Sequence, residues 1–373
     1  MEDIRIIYIS KATFPCKSAN SIHLMKMTRA ISKLYSNVIL VGFKSKLVRM
    51  QEKEIYESYN VEPTFKLKLL KTPKRGISFY YEIYILIWLF FKSRSKHIIY
   101  GRDLNLINFA SILGFRVILE SHDFFYSKAR RSIEQKLFNR KNFLKLVVIS
   151  KSLQKDYLDF FQHLNKIEVH HDAADVVNEI ISNDISWPST RQTLQIGYFG
   201  HLYKGRGIEI IIETAKALEN FDFHIIGGNS SDIEKYKRLS LSNNLYFHGF
   251  KEQKELSILR SKCDILLMPY QKKLSIYNSD LNTSKWMSPM KLFEYMSSKK
   301  AIISSDLPVL REILNDSNSI LVNPDNVSDW VNAIVLLSDK ELREKLAHNA
   351  YKDFINKYTW TKRAENIFNG FIE

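Results

Sequence analysis

Short, wholly apolar runs alternate with longer mixed segments along most of this 373-residue chain. Residues 4–10 (IRIIYIS) read as a strand, 17–21 as a polar loop, 22–34 as a helix and 37–43 (NVILVGF) as a second strand. Strands with no polar alternation are covered on both faces, and strand–helix–strand order is a βαβ unit, so a parallel sheet is predicted. The pattern resumes at 97–100, 116–120 (RVILE), 146–149 and 167–169. These strands end in polar groups: Arg102 and Asp103; Ser121, His122 and Asp123; Ser150 and Lys151; His170, His171 and Asp172. Titratable residues collected at the carboxyl ends of parallel strands line the usual ligand crevice of such a sheet. A first doubly wound domain over residues 1–176 follows. Residues 177–193 drop the apolar runs and gain Asn, Ser, Thr and Pro, and are read as a linker.

A second alternation begins at strand 195–199, with a glycine-rich turn over 200–207 and a helix over 208–218. Strands 223–226 (ending in Gly227 and Gly228), 245–247, 265–268, 301–304 and 320–322 complete a second Rossmann-like domain over 194–350. Residues 351–373 are expected to form a C-terminal helix that packs back on the first domain. The fold class is therefore α/β, two doubly wound parallel-sheet domains, with the ligand expected in the cleft where they face each other.

One apolar run stands apart. Residues 77–91 (ISFYYEIYILIWLFF) are too few for the roughly 20 needed to cross a bilayer, and Glu82 interrupts them. A helix packed on a sheet is the simplest reading, and partial insertion at a membrane interface through Tyr80, Tyr81, Tyr84 and Trp88 is the alternative. Charge sharpens that choice, because the net charge of +15 is uneven: residues 44–75 carry +5 and residues 127–166 carry +7. Such surface suits a phosphorylated substrate or an anionic membrane, although solvated lysine-rich faces look the same. No nucleic-acid-binding motif accompanies it, so nucleic acid is not expected as a partner. Two distant cysteines, Cys16 and Cys263, exclude a disulfide framework or a cysteine zinc site and suit a reducing compartment. With no leader pattern at the start, a cytoplasmic protein is expected.

Two stretches carry candidate chemistry. In 288–296 (SPMKLFEYM), Ser288 suits an N-cap and Pro289 the first helical position. The amides of Met290, Lys291 and Leu292 would then be open to a phosphate, with Lys291 adding a cation. Glu294, one turn on, can accept both hydroxyls of a ribose. The same residues also describe an ordinary capped amphipathic helix. The turn at Gly200, His201, Leu202, Tyr203, Lys204, Gly205, Arg206 and Gly207 lets backbone approach a ligand while Arg206 forks onto phosphate. His122 follows a buried strand and could position or deprotonate an acceptor hydroxyl; a histidine tied to a carbonyl would have the same spacing.

These residues carry a resemblance to the GT-B glycosyltransferases, specifically the retaining family 4. Gly200, Leu202, Arg206 and Gly207 are similar to the family's Gly-x-Leu…(Lys/Arg)-Gly element, with His201 where Arg is common. Residues 288–296 resemble its Ser-Pro-x-Lys-x-x-Glu-Tyr-Met segment, and Ser305–Pro308 with Arg311 and Glu312 follow as the family has them. The resemblance implies that Ser288, Pro289, Met290 and Leu292 hold the donor diphosphate with Gly200, His201, Arg206 and Lys291. It places the ribose on Glu294 and the base near Gly228 and Phe250. In the first domain it likens Ser21, Ile22 and His23 to the N-terminal loop, and His122 to the histidine beside acceptor and donor sugar. Trp286 stands where the family usually has a sugar-binding Glu.

The function expected is transfer of a sugar, with retention, from a UDP- or GDP-sugar to a saccharide or lipid-linked acceptor of a surface polysaccharide or glycolipid. No Asp-x-Asp motif occurs, so neither metal nor cofactor is expected. The alternative is a non-catalytic subunit of a glycosyltransferase complex. Peripheral contact with the inner membrane face fits either.

Overall fold

The structure is a computed structural model that describes residues 4–46, 50–72, 79–177, 187, 193–240, 242–273 and 282–371. It divides into two compact units, unit 1 from residues 1–171 with 360–373 and unit 2 from 172–359. These boundaries stand beside the 176 and 350 expected from sequence. Of the expected linker, only Val177, Trp187 and Thr193 fall within the described residues.

Unit 1 is built on seven strands, β1 (Arg5–Phe14), β2 (Val38–Lys44), β3 (Lys66–Leu70), β4 (His97–Gly101), β5 (Arg116–Ser121), β6 (Phe143–Val148) and β7 (Ile167–Val169). Their spatial order is 3-2-1-4-5-6-7, and adjacent pairs run parallel. Ile6, Ile7, Leu40, Ile98, Val117 and Leu146 are sealed from solvent, as strands covered on both faces require. The order turns back between β1 and β4, so the loops after these two strands open the crevice of this sheet.

Three local differences from the sequence reading have physical causes. β1 runs on to Phe14, and the following helix starts earlier, at Ala19, because Ser18 caps it by accepting the Ser21 amide. Strand β3 and the helix Glu52–Ser58 lie in the stretch noted only for its charge. The Lys-Leu-Lys-Leu alternation suits an edge strand, with Leu67 buried and Lys66 exposed. The last residues also divide differently: helix Lys340–Lys357 belongs to unit 2, and only helix Trp360–Phe368 joins unit 1, against helix Ala19–Ser32.

Unit 2 holds β8 (Gln195–Phe199), β9 (Asp222–Ile226), β10 (Leu245–Gly249), β11 (Ile265–Met268), β12 (Ala301–Ser305) and β13 (Ile320–Val322), all parallel in the order 10-9-8-11-12-13. Here the order turns back between β8 and β11. Helix Met290–Ser297 lies over that point and is pinned there by Tyr295, whose hydroxyl accepts the Phe199 amide at 2.9 Å and donates to the Leu267 carbonyl at 3.2 Å. Leu292, Phe293, Tyr295 and Met296 are fully buried, so the helix cannot roll without opening the core.

Candidate functional site

Unit 2 gathers its candidate residues where its strand order turns back. The turn after β8 runs against the Gly227–Gly228 turn after β9, with the Gly200 amide on the Ile226 carbonyl at 2.9 Å. Gly227 has φ +122°, and a Cβ there would stand 2.2 Å from the Gly200 carbonyl oxygen. Only glycine lets the two turns meet. Gly228, also at positive φ, packs against Leu202, while Phe250 is half exposed just beyond β10.

Lys291 reaches into this turn. Its Nζ sits 3.9 Å from the Tyr198 ring centroid and 5.1 Å from that of Tyr270, and a Cβ on Gly200 would come within 2.7 Å of it. Arg206 reaches the same two-tyrosine wall, its guanidinium carbon 5.0 Å from the Tyr270 ring centroid and its Nε buried without a hydrogen-bond acceptor among the described residues. Two cations held together on aromatic faces repel each other. Burial and then the Arg206 charge depress the Lys291 pKa well below the ordinary lysine value, only partly opposed by Glu294. Burial, Arg206 and Lys291 likewise depress His201. The cluster is short of negative charge, the condition for binding an anion.

The helix start differs in detail from the sequence reading. Pro289, not Ser288, is the N-cap, with φ −75° and ψ 123°. The Ser288 hydroxyl instead accepts the Asp172 amide at 2.8 Å, and the Leu292 amide turns back to the Pro289 carbonyl at 2.9 Å. A serine held by another segment is not available to cap. The amides of Met290 and Lys291 remain open, with no acceptor among the described residues. One turn on, Glu294 uses one carboxylate oxygen on the Arg260 guanidinium at 3.2 Å, and its other oxygen is unengaged among the described residues. Arg260 is itself held by the Ser298 hydroxyl at 3.1 Å and the Phe199 ring. Trp286 is buried just before the helix.

This geometry predicts a pH signature. An anion arriving at Lys291 restores its pKa, so binding of an anion such as pyrophosphate there takes up a proton. Affinity falls as pH rises through the depressed value, below the free-lysine value of about 10.4. Calorimetry in buffers of different ionisation heat reads this directly. Proton-neutral binding through the alkaline range would remove Lys291 from the contact.

In unit 1 the structure places His122 at the end of β5, partly exposed, beside a group that sequence reasoning passed over. Glu120 is completely buried. Its Oε1 accepts from His122 Nε2 at 2.6 Å and stands 3.3 Å from His23 Nε2 and 3.6 Å from Arg102 Nε. Its Oε2 accepts from the Tyr100 hydroxyl and faces an Arg363 nitrogen at 3.1 Å. Burial alone would raise this carboxyl, but Arg363, His23 and His122 hold it well below the usual range. Arg102, after β4, contacts the His122 ring, and Asp123 is paired with Arg130 at 2.5 Å. Ser21 lies in the first helical turn, its hydroxyl donating to the Cys16 carbonyl at 2.6 Å, so it serves the loop's shape. His170 and His171 bond separately, to Glu168 at 2.9 Å and to the Ile149 carbonyl at 2.8 Å.

Two cations of the basic stretch 127–166, Arg131 and Lys145, turn inward, while most of the others stay exposed. Arg131 lies on the Phe124 ring and pairs with buried Glu134, which also holds Arg130 and the Tyr157 hydroxyl, and Lys145 pairs with Glu168 at 2.8 Å.

Sequence reasoning missed Glu120, Arg363, Arg260, Tyr198 and Tyr270. Glu120 left a signal, since a lone carboxylate closes the otherwise apolar strand RVILE. Arg363 and Arg260 sit in ordinary amphipathic helices and leave none.

Residues 181–353 match the family described as glycosyl transferases group 1. An uncharacterised glycosyltransferase of Methanocaldococcus jannaschii is 27% identical over 182 residues, 46% of this chain and 43% of that protein, so the match spans less than half of either. Among solved structures, Anabaena HepE in complex with UDP and glucose aligns over 99% of both chains with a TM-score of 0.71 at 14% identity. A glycosyltransferase from Rickettsia africae aligns over 99% of this chain and 97% of its own with a TM-score of 0.72, also at 14% identity. At that identity the likeness is one of fold. The two sheets are those of the GT-B architecture.

Proposed function

We propose that this chain, with a glycosyl transferases group 1 domain on a GT-B fold, is a retaining glycosyltransferase. Its donor is a UDP- or GDP-linked sugar, and its acceptor a saccharide or lipid-linked molecule of a surface polysaccharide or glycolipid, met at the inner face of the membrane. The observation that carries this reading is the pair Arg206 and Lys291 on the Tyr198–Tyr270 wall, beside two open helix amides and with Glu294 one turn away. Paired cations and amides suit a diphosphate, and the unengaged Glu294 oxygen suits the hydroxyls of a ribose.

In this reading the acceptor hydroxyl attacks the anomeric carbon on the face from which the diphosphate departs. The C–O bond to phosphate breaks as the new glycosidic bond forms, and the departing phosphate oxygen takes the acceptor's proton. Arg206, Lys291 and the helix start stabilise the charge that develops on the diphosphate. His122, its ring set by Glu120 and Arg102, orients the acceptor hydroxyl. The protein supplies the electrostatics, and no metal is invoked.

Thermal stabilisation by UDP, GDP, ADP and CMP, with and without EDTA, tests the donor site. A ligand at about 100 times its dissociation constant adds ~2.7 kcal/mol. Stabilisation by UDP or GDP that survives EDTA is expected; HepE, solved with UDP, makes UDP the first to try. Dependence on a divalent ion would overturn the metal-free mechanism. A second reading, a subunit without turnover, draws on Trp286, which brings a buried indole where the family usually has a carboxylate. It expects no release of nucleotide from any nucleotide sugar.

A further inference from the structure

The helix Phe79–Phe90 is apolar on two faces, and among the described residues the fold covers only one. Ile85 and Leu89 are fully buried. On the other side Tyr84, Ile87 and Phe91 are about half to four-fifths exposed, at 47%, 58% and 79%, with Tyr80 and Phe90 beside them. Leu86, Ile87 and Phe90 also form one side of an apolar groove whose other side is Phe109, Ile112 and Leu113, at the end of helix Leu104–Ile112. Isolated exposed apolar residues are normal, but a continuous stripe with its own groove marks a contact surface.

Charge identifies the occupant. The helix has one carboxylate, Glu82, and it is buried, held by Lys11 at 2.5 Å and by Asn105 at 3.3 Å. No acid therefore faces outward with the aromatic stripe. The helix runs straight into Lys92, Ser93, Arg94, Ser95 and Lys96, three cations without an acid. Lys92 lies 4.7 Å from the Trp88 ring centroid. Arg94 lies 5.6 Å from that of Phe90, with its Nε donating to the Leu113 carbonyl at 3.1 Å, which sets it at the groove's end. Apolar side chains flanked by tyrosine and tryptophan and ended by cations match the layers of a lipid interface. Twelve residues rise only about 18 Å, so the helix would lie along a bilayer and not through it.

We propose that helix Phe79–Phe90, with the tip of helix Leu104–Ile112, is a docking face that inserts at the surface of an anionic bilayer. This deepens the function proposed above, by naming the face that meets the membrane, and it uses none of the nucleotide-binding residues.

Cosedimentation of the full-length protein with vesicles of phosphatidylcholine, alone or mixed with phosphatidylglycerol, tests it. Strong binding only to the mixed vesicles is expected, weakening with salt. Replacing Lys92 and Lys96 together by Gln should weaken it about thirtyfold. The exposed-face pair Ile87→Asp with Phe91→Asp should abolish it. Nucleotide-induced thermal stabilisation should remain in all these variants, as the check that they fold. Absence of vesicle binding, or binding indifferent to the variants, overturns the docking face whether or not nucleotide stabilises the protein. A dimer in light scattering that Ile87→Asp with Phe91→Asp turns into monomers, without vesicle binding, assigns the face to a second copy and overturns it too. Failure of every nucleotide to stabilise a protein that still binds mixed vesicles would overturn only the donor site.

Discussion

Arg206→Ala is expected to lower kcat by about 10²–10³-fold, the usual effect of removing one donor aimed at developing negative charge. The mechanism assigns Arg206 to the departing diphosphate, where the charge is larger in the transition state than in the bound donor, so KM should move less than kcat. Folding should be spared, because Arg206 has no salt bridge among the described residues, and its removal relieves repulsion on Lys291. Glu294 is expected to behave differently. The ribose contact proposed for it would be the same in ground and transition states, so Glu294→Gln should chiefly raise KM for the donor. The glutamine keeps an acceptor for buried Arg260, which alanine would strand. Steady-state kinetics with the nucleotide sugar, beside thermal unfolding of each variant, decides both points. Full turnover in Arg206→Ala would remove it from the mechanism.

Glu120→Ala is expected to destabilise the protein by about 3–5 kcal/mol, the cost of breaking a buried ion pair by removing one member. The carboxylate is fully enclosed and meets Arg363, His23, His122, Arg102 and Tyr100, so alanine leaves the Arg363 guanidinium facing a pocket that has lost its carboxylate and still holds Arg102. Glu120→Gln keeps the shape and an acceptor and should cost less. The pH dependence follows from the direction of the shift. A carboxyl held well below its unfolded value of about 4.3 contributes its full stabilisation above that pH and loses it as pH falls toward the folded value. Wild-type stability should therefore drop on acidification below about pH 4, and Glu120→Gln should lose less over the same window. Urea titrations across that range measure it. Equal acid slopes for wild type and Glu120→Gln would show that the charge of Glu120 is not what holds the cluster.

Strands covered on both faces leave continuous apolar runs, and so β1, β2, β4, β5, β6 and most of the second sheet were legible from residue pattern alone. Of the edge strands, β7, β10 and β13 were legible and β3 was not. β3 carries lysines on alternate positions because one side meets solvent, which makes it read as a charged segment. Helix Phe79–Phe90 was legible as a helix, but hydrophobicity cannot say which apolar face the fold covers. At the candidate site, the contributors from local motifs, Gly200, Arg206, Lys291 and Glu294, could be named from spacing. The partners that govern their electrostatics could not. Tyr198 and Tyr270 close strands that are adjacent in space but far apart in sequence, and Arg260 meets Glu294 from another helix. Ser288 shows the converse, a plausible cap whose hydroxyl is committed to Asp172.

The membership of helix Trp360–Phe368 in unit 1 bears on the order in which the protein can be made. Unit 2 is one uninterrupted segment, so its six strands can close into a sheet before the residues after Thr359 leave the ribosome. Unit 1 has its seven strands complete by residue 169, yet Glu120, already met by Arg102, His23 and His122, gains its Arg363 partner only nearly two hundred residues beyond that last strand. During synthesis the N-terminal half can therefore hold a preformed sheet whose buried carboxylate still lacks its Arg363 partner. Unit 1 is thus complete only once the last helix has been made, whereas unit 2 needs nothing beyond Thr359.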